Sequence, residues 1–193
     1  MVALILLGGT WLIRHFPGKG EPPLAVLTKN ELHAYENLQR IMRAQEAYYH
    51  KSAALFGTHR YAAFITHLWV AVGPSGQPVD MDLIPEKLAV AIGPSKSKDG
   101  YYFIDVRQRA ALSGKALETI DYDKQWTVAA MPRQAGRTGN LVFMADQTGA
   151  IFAKPVQMFS SRYPLDPPAD GWTAMPTPSD LKNYQLDSRL TKP

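Results

Sequence analysis

Asn37-Leu38-Gln39-Arg40-Ile41-Met42-Arg43-Ala44-Gln45-Glu46-Ala47-Tyr48-Tyr49 reads as a helix with two faces. Leu38, Ile41, Met42 and Tyr49 return at three- and four-residue spacing, which places them on one side of a 3.6-residue period. Upstream, Thr28 or Asn30 can cap the helix, and Glu31 falls in its first turn; downstream the pattern carries to about Lys51. Glu36, Arg40, Arg43 and Glu46 form the other side. A Glu36–Arg40 pair at i, i+4 contributes only about 0.2–0.5 kcal/mol, so this helix depends on packing against the rest of the chain.

Working outward, residues 60–69 read as a second short helical stretch, and Gly73-Pro74-Ser75-Gly76-Gln77-Pro78 as a loop by composition. A further helical turn is expected over residues 85–89, with Pro85 tolerated at its start. From Gly100 the period changes. Residues 101–106, 126–131, 141–145 and 150–153 are short, rich in aromatic and β-branched side chains, and separated by turn formers, which predicts a four-strand meander. Asp146-Gln147-Thr148-Gly149 joins the last two runs, and its Gly suits the left-handed position of a tight hairpin. The fold class expected is therefore α+β: a long N-terminal helix packed on a four-stranded antiparallel meander.

The chain has 193 residues, enough for one domain with appendages, and its 46% apolar and 20% charged residues are those of a globular protein. Its formal charge of +4 is scattered, with Arg107, Arg109, Arg133 and Arg137 the only loose grouping, so no basic stripe for nucleic acid is present. There is no cysteine, which excludes disulfides, thiolate zinc sites, iron–sulfur clusters and thiol catalysis.

Residues 2–13 form an uncharged apolar run followed by Arg14 and His15. As a helix rising about 1.5 Å per residue, it falls short of the roughly 30 Å hydrocarbon core of a bilayer. Trp11 beside the charged end follows the order found at a membrane interface. We read residues 1–16 as a membrane-anchor segment, with Leu4, Ile5, Leu6, Leu7, Trp11, Leu12 and Ile13 as the anchoring side chains. The alternatives are the truncated start of a longer anchor, or a buried strand. Pro17 to Pro23 contains five Gly or Pro in seven residues, so residues 17–27 read as a linker to a domain spanning residues 28–155.

Beyond Pro155 the composition shifts to Pro164, Pro167, Pro168, Pro176, Pro178 and Pro193, with little apolar periodicity. Residues 156–193 are expected to form an extended arm whose spaced apolar side chains, Phe159, Tyr163, Trp172, Met175, Tyr184 and Leu186, dock on a partner.

Motifs with chemistry are sparse. Ser95-Lys96-Ser97-Lys98 matches the Ser-x-x-Lys spacing of serine acyl-transfer enzymes, but the flanking Pro94 and Asp99-Gly100 favour a loop, and neither companion motif occurs. Glu46 and His50 share a helix face, with His59 and His67 following, yet zinc needs three or four convergent ligands and no His-Glu-x-x-His pair exists. Asp80, Asp82 and Asp146 lack the twelve-residue loop of a calcium site, and Gly18-Lys19-Gly20 lacks the rest of a phosphate loop. Tyr48, Tyr49, Tyr101, Tyr102, Phe103 and Trp126 read as core between helix and sheet. We expect no catalytic residues, no cofactor, no metal and no small-molecule substrate.

Taken in order, these pieces resemble the globular domain of type IV pilins and pseudopilins. The residues that carry the resemblance are Ala44 to Tyr49, Gly57-Thr58 with Tyr61-Ala62, Leu83 to Leu88, Gly100 to Phe103, Val128 to Pro132, Gly136 to Gly139 and Asp146 to Ile151, and the match spans about residues 31–155, two thirds of the chain. The resemblance implies a long helix on an antiparallel sheet, a membrane anchor, a domain facing the cell envelope and no catalytic activity. The sequence carries neither the basic leader nor the Phe-Thr-Leu-x-Glu helix start of the pilins, and Pro17 to Pro23 interrupts the helix that they keep continuous.

The functional expectation is a non-catalytic, membrane-anchored accessory subunit that docks on and stabilises a larger membrane assembly. The alternatives are a minor pilin or pseudopilin of a type IV pilus or type II secretion filament, and a membrane-tethered enzyme or metal-binding module. The expected partners are other subunits of a membrane complex and the membrane itself, not nucleic acid. The expected location is a bacterial inner membrane with the domain on the periplasmic side, although Arg14, His15 and Lys19 argue for the opposite side by the positive-inside tendency.

Overall fold

The computed structural model describes residues 27–110, 117–158 and 167–175. Its first element is α1, Lys29–Phe56. Thr28 is the N-cap: its hydroxyl accepts from the Glu31 amide at 3.3 Å while the Glu31 carboxylate accepts from the Thr28 amide at 2.7 Å, a reciprocal capping box. The helix passes the expected end at Lys51 and continues through Ser52-Ala53-Ala54-Leu55-Phe56, none of which opposes helix formation. It stops at Gly57, whose φ of 77° is left-handed and whose amide closes on the Ala53 carbonyl at 2.9 Å.

Residues 60–69 depart from expectation: the only helical turn there is a 3-10 turn, Ile65–Leu68. The reason lies in where the backbone hydrogen bonds go. Gln45 on α1 takes both the amide and the carbonyl of Ala62, and Asp105 takes the amide of Ile65, so this segment has its partners outside itself. Strands β1, Val70–Val72, and β2, Pro78–Asp80, follow as an antiparallel hairpin whose turn is the expected Gly- and Pro-rich loop. Then α2, Glu86–Ala89, starts behind Pro85 as predicted.

The sheet begins with β3, Tyr101–Asp105, after which β4, Gln108–Ala110, and β5, Leu117–Thr119, form a separate antiparallel pair that the sequence reading did not anticipate. Strands β6, Thr127–Pro132, β7, Leu141–Asp146, and β8, Ile151–Pro155, complete the predicted meander. A fifth strand, β9, Thr173–Ala174, pairs with the outer edge of β8, giving the antiparallel order β3-β6-β7-β8-β9. The protein is thus α+β, one long helix and a mostly antiparallel sheet. The domain boundary expected at residue 155 falls between two strands of the same sheet.

Alternation along the strands sorts the side chains onto two faces. Tyr101 and Phe103, Val128 and Ala130, Phe143 and Ala145, and Ile151 and Ala153 all join one buried cluster with Tyr35, Leu38, Ile41, Ala44 and Tyr48 of α1. This is the main core, in which each large apolar side chain removed from water contributes about 1.5–3 kcal/mol. Among the described residues no helix is long and apolar enough to cross a membrane.

Candidate docking surface

The sheet is also apolar on the face turned away from α1. Val106, Ala129, Val142, Met144 and Trp172 form a second buried cluster, with Ile104, Met131, Phe152 and Val156 partly buried against it. Register explains why these side chains meet. Ile104 pairs with Ala129, Ala129 with Met144, and Met144 with Phe152, so one cross-strand row runs Ile104-Ala129-Met144-Phe152. A neighbouring pair, Tyr102 and Met131, lies two residues further along the same two strands.

Strand β9 holds the β8 edge, and the residues that flank it lie on opposite faces. The Met175 amide donates to the Ile151 carbonyl at 2.7 Å, and Met175 lies in the main core, whereas Trp172 lies in the second cluster with the Lys154 ammonium 5.6 Å above its ring. Trp172 and Met175 were expected as partner anchors; both are packed in the chain's own core. Their positions follow from edge pairing, since Thr173 and Ala174 satisfy backbone groups of β8 that would otherwise face solvent. Phe159, Tyr163, Tyr184 and Leu186 lie outside the described residues, as do the anchor residues Leu4, Ile5, Leu6, Leu7, Trp11, Leu12 and Ile13.

Polar side chains on α1 fix the loops at both ends of the sheet. At the N-terminal end, Asn30 donates to the Thr138 carbonyl at 3.1 Å and Glu31, fully buried, accepts from the Asn140 amide at 2.8 Å. Two backbone donors and the helix N-terminus compensate this carboxylate. At the other end, Gln45 accepts from the Ala62 amide at 2.9 Å and donates to the Ala62 carbonyl at 3.0 Å, and the Ser52 hydroxyl accepts from the Arg60 amide at 2.8 Å. The reading from sequence assigned Gln45 and Ser52 no role. The signal available was a polar residue on the apolar side of the helical wheel, where a buried amide must find partners.

The titratable groups make local contacts. Asp105 accepts from the Ile65 amide at 3.0 Å; burial pushes its carboxyl up to about 6, while that hydrogen bond and the Arg107 guanidinium pull the other way. Arg107 itself lies 4.5 Å over the Phe64 ring. Burial, assisted by Arg60, holds His67 below the usual histidine range. His50 contacts Glu46 at 3.1 Å in an exposed i, i+4 pair, and His59 stacks on Tyr49 with ring centroids 5.1 Å apart. Among the described residues no group of three or more His, Asp or Glu could hold a metal ion. Ser95 and Lys96 sit in a short 3-10 turn, Pro94–Lys96, and Lys98 pairs with Asp99. Asp146 caps its hairpin by accepting from the Thr148 amide at 2.8 Å.

The outer sheet face thus carries a second buried apolar cluster edged by the partly open side chains Ile104, Met131, Phe152 and Val156. Comparison of the chain with protein-family models, with curated proteins and with solved structures returns no match.

Proposed function

We propose that this chain is a non-catalytic, membrane-anchored accessory subunit whose pilin-like domain docks on and stabilises a larger membrane protein assembly. The observation that carries the reading is the outer sheet face, where Ile104, Met131, Phe152 and Val156 remain partly open around a buried apolar centre. The centre is already buried within the chain, and the four rim side chains are the apolar area left for a partner to cover. The pilin likeness draws support from the element order, with α1 leading into the meander β3-β6-β7-β8, and the anchor from the apolar run at residues 2–13.

In this proposal residues 1–16 hold the chain at the inner membrane, and the domain meets its partners on the periplasmic side. The arm contributes through Phe159, Tyr163, Tyr184 and Leu186, since Trp172 and Met175 belong to the domain. A full-length tagged chain, extracted from its source membrane in mild detergent, should migrate on native gels with other subunits in fixed stoichiometry. Migration as a free monomer in the soluble fraction would overturn the proposal.

A further inference from the structure

On the helix side of the molecule, away from the outer sheet face, α1 and the Leu83-Ile84-Pro85 turn enclose a groove of about 360 Å³. Besides Arg40 and Arg43, α1 contributes only the methyl groups of Ala44 and Ala47 to it, and these leave space opposite Leu83, Ile84 and Pro85. The floor is therefore apolar. The rim is cationic: Arg40 and Arg43, one helical turn apart and both exposed, line the same groove.

Neither guanidinium is paired with a carboxylate among the described residues. Glu36 precedes Arg40 by four residues but makes no ion pair with it, and Glu46, three residues after Arg43, contacts His50 instead. Two unpaired guanidinium forks beside an apolar floor set the chemistry of a ligand that is both acidic and greasy. We infer that this groove binds an acidic segment of a partner protein, its carboxylates on Arg40 and Arg43 and an apolar side chain against Ala44, Ala47, Leu83 and Ile84.

Charge argues for a partner rather than for this chain's own remainder. Residues 1–26 carry Glu21 against Arg14 and Lys19, residues 159–166 carry Asp166 against Arg162, and residues 176–193 carry Asp180 and Asp187 against Lys182, Arg189 and Lys192. None of these stretches is net acidic. The inference does not rest on the outer-face proposal, because the two surfaces share no residue.

The test is a random-peptide display screen on the full-length chain, followed by affinity measurement of the enriched peptides by fluorescence anisotropy. Enriched sequences should carry Asp or Glu beside Leu, Ile or Phe. The Arg40→Glu/Arg43→Glu double variant should lose about tenfold or more in affinity, as expected when charge pairs at an interface are reversed. Ala47→Trp, which fills the floor, should weaken the same peptides; the arginine variant alters only exposed groups and so reads binding even if the tryptophan variant fails to fold. Enriched peptides without acidic bias, no enrichment at all, or unchanged affinity in the double variant would each overturn the inference. So would arginine-dependent binding to phosphatidylglycerol vesicles in the absence of peptide binding, which would assign the groove to a lipid surface.

Discussion

Replacing Gln45 by Met separates the contribution of its two hydrogen bonds from that of its volume. The side chain is 1% exposed, and its amide pairs with both backbone groups of Ala62, a residue itself buried. Methionine has a similar length and no strong donor or acceptor, so the substitution leaves one N–H and one C=O unpaired and out of reach of water. Each such group costs about 1–3 kcal/mol, and the relief from burying an apolar side chain offsets part of it, for a net loss of about 2–4 kcal/mol. In a chain of this size that lowers the melting temperature by about 5–15 °C. Urea unfolding followed by circular dichroism measures the first quantity, and hydrogen exchange at the Ala62 amide tests its origin. Glu46→Gln, one residue along on the exposed side, is the control and should stay within about 0.5 kcal/mol of wild type. A Gln45→Met variant as stable as this control would refute the claim that α1 fixes the following segment through that amide.

Four other outcomes follow from the same structure. Because burial raises the Asp105 carboxyl to about 6, its folded form resists ionisation, and its contribution to stability is complete below the ordinary carboxylate range and lost as pH rises through 6. Asp105→Asn, whose Oδ1 can still accept from Ile65, should therefore gain about 1–3 kcal/mol over wild type at pH 8 and lose that advantage near pH 4, as read by urea midpoints. Gly139→Ala should destabilise by about 1–3 kcal/mol in the same assay, since a methyl group there falls on the buried Tyr101 ring, 2.7 Å from Cζ. Trp172→Ala should lower stability by about 3–5 kcal/mol. A chain ending after residue 176 should retain cooperative unfolding, whereas one ending at Pro155 should lose it, because only the second removes β9, Trp172 and Met175.

The long helix and the four meander strands were legible because their signals are local. Thr28 and Glu31 form a capping box three residues apart, and Asp146 with Gly149 marks a hairpin that any period-2 reading would close. The extension of α1 to Phe56 was also written in the chain, since Gly57 and not Lys51 is the residue that can adopt a left-handed terminus. What stayed hidden depends on distant pairing. Residues 60–64 carry helix-compatible side chains, and distant partners draw their backbone elsewhere: Ser52 takes the Arg60 amide, the Tyr122 carbonyl takes the Tyr61 amide, and Gln45, 17 residues upstream, takes Ala62. Strand β9 has two residues and no pattern of its own; the β8 edge makes it a strand.

The second apolar face lay between these extremes. Leu141 to Ala145 is a continuous apolar run, not an alternating one, and such a run marks a strand buried on both sides. Such a run shows that the second face is covered but not by what, and Trp172, 27 residues beyond Ala145, is among the residues that pack there. The groove beside Arg40 and Arg43 was out of reach for the same reason as β9: its floor joins α1 to a turn some forty residues later.

Site-specific photo-cross-linking in the native membrane tests the docking proposal most directly. A benzophenone amino acid placed at Met131 or Phe152, on the partly open rim of the outer sheet face, should capture one and the same partner subunit, while the probe at Glu36 on the polar side of α1 should not capture it. Rim positions that yield no cross-linked protein, in a chain whose fold is intact, would contradict the account.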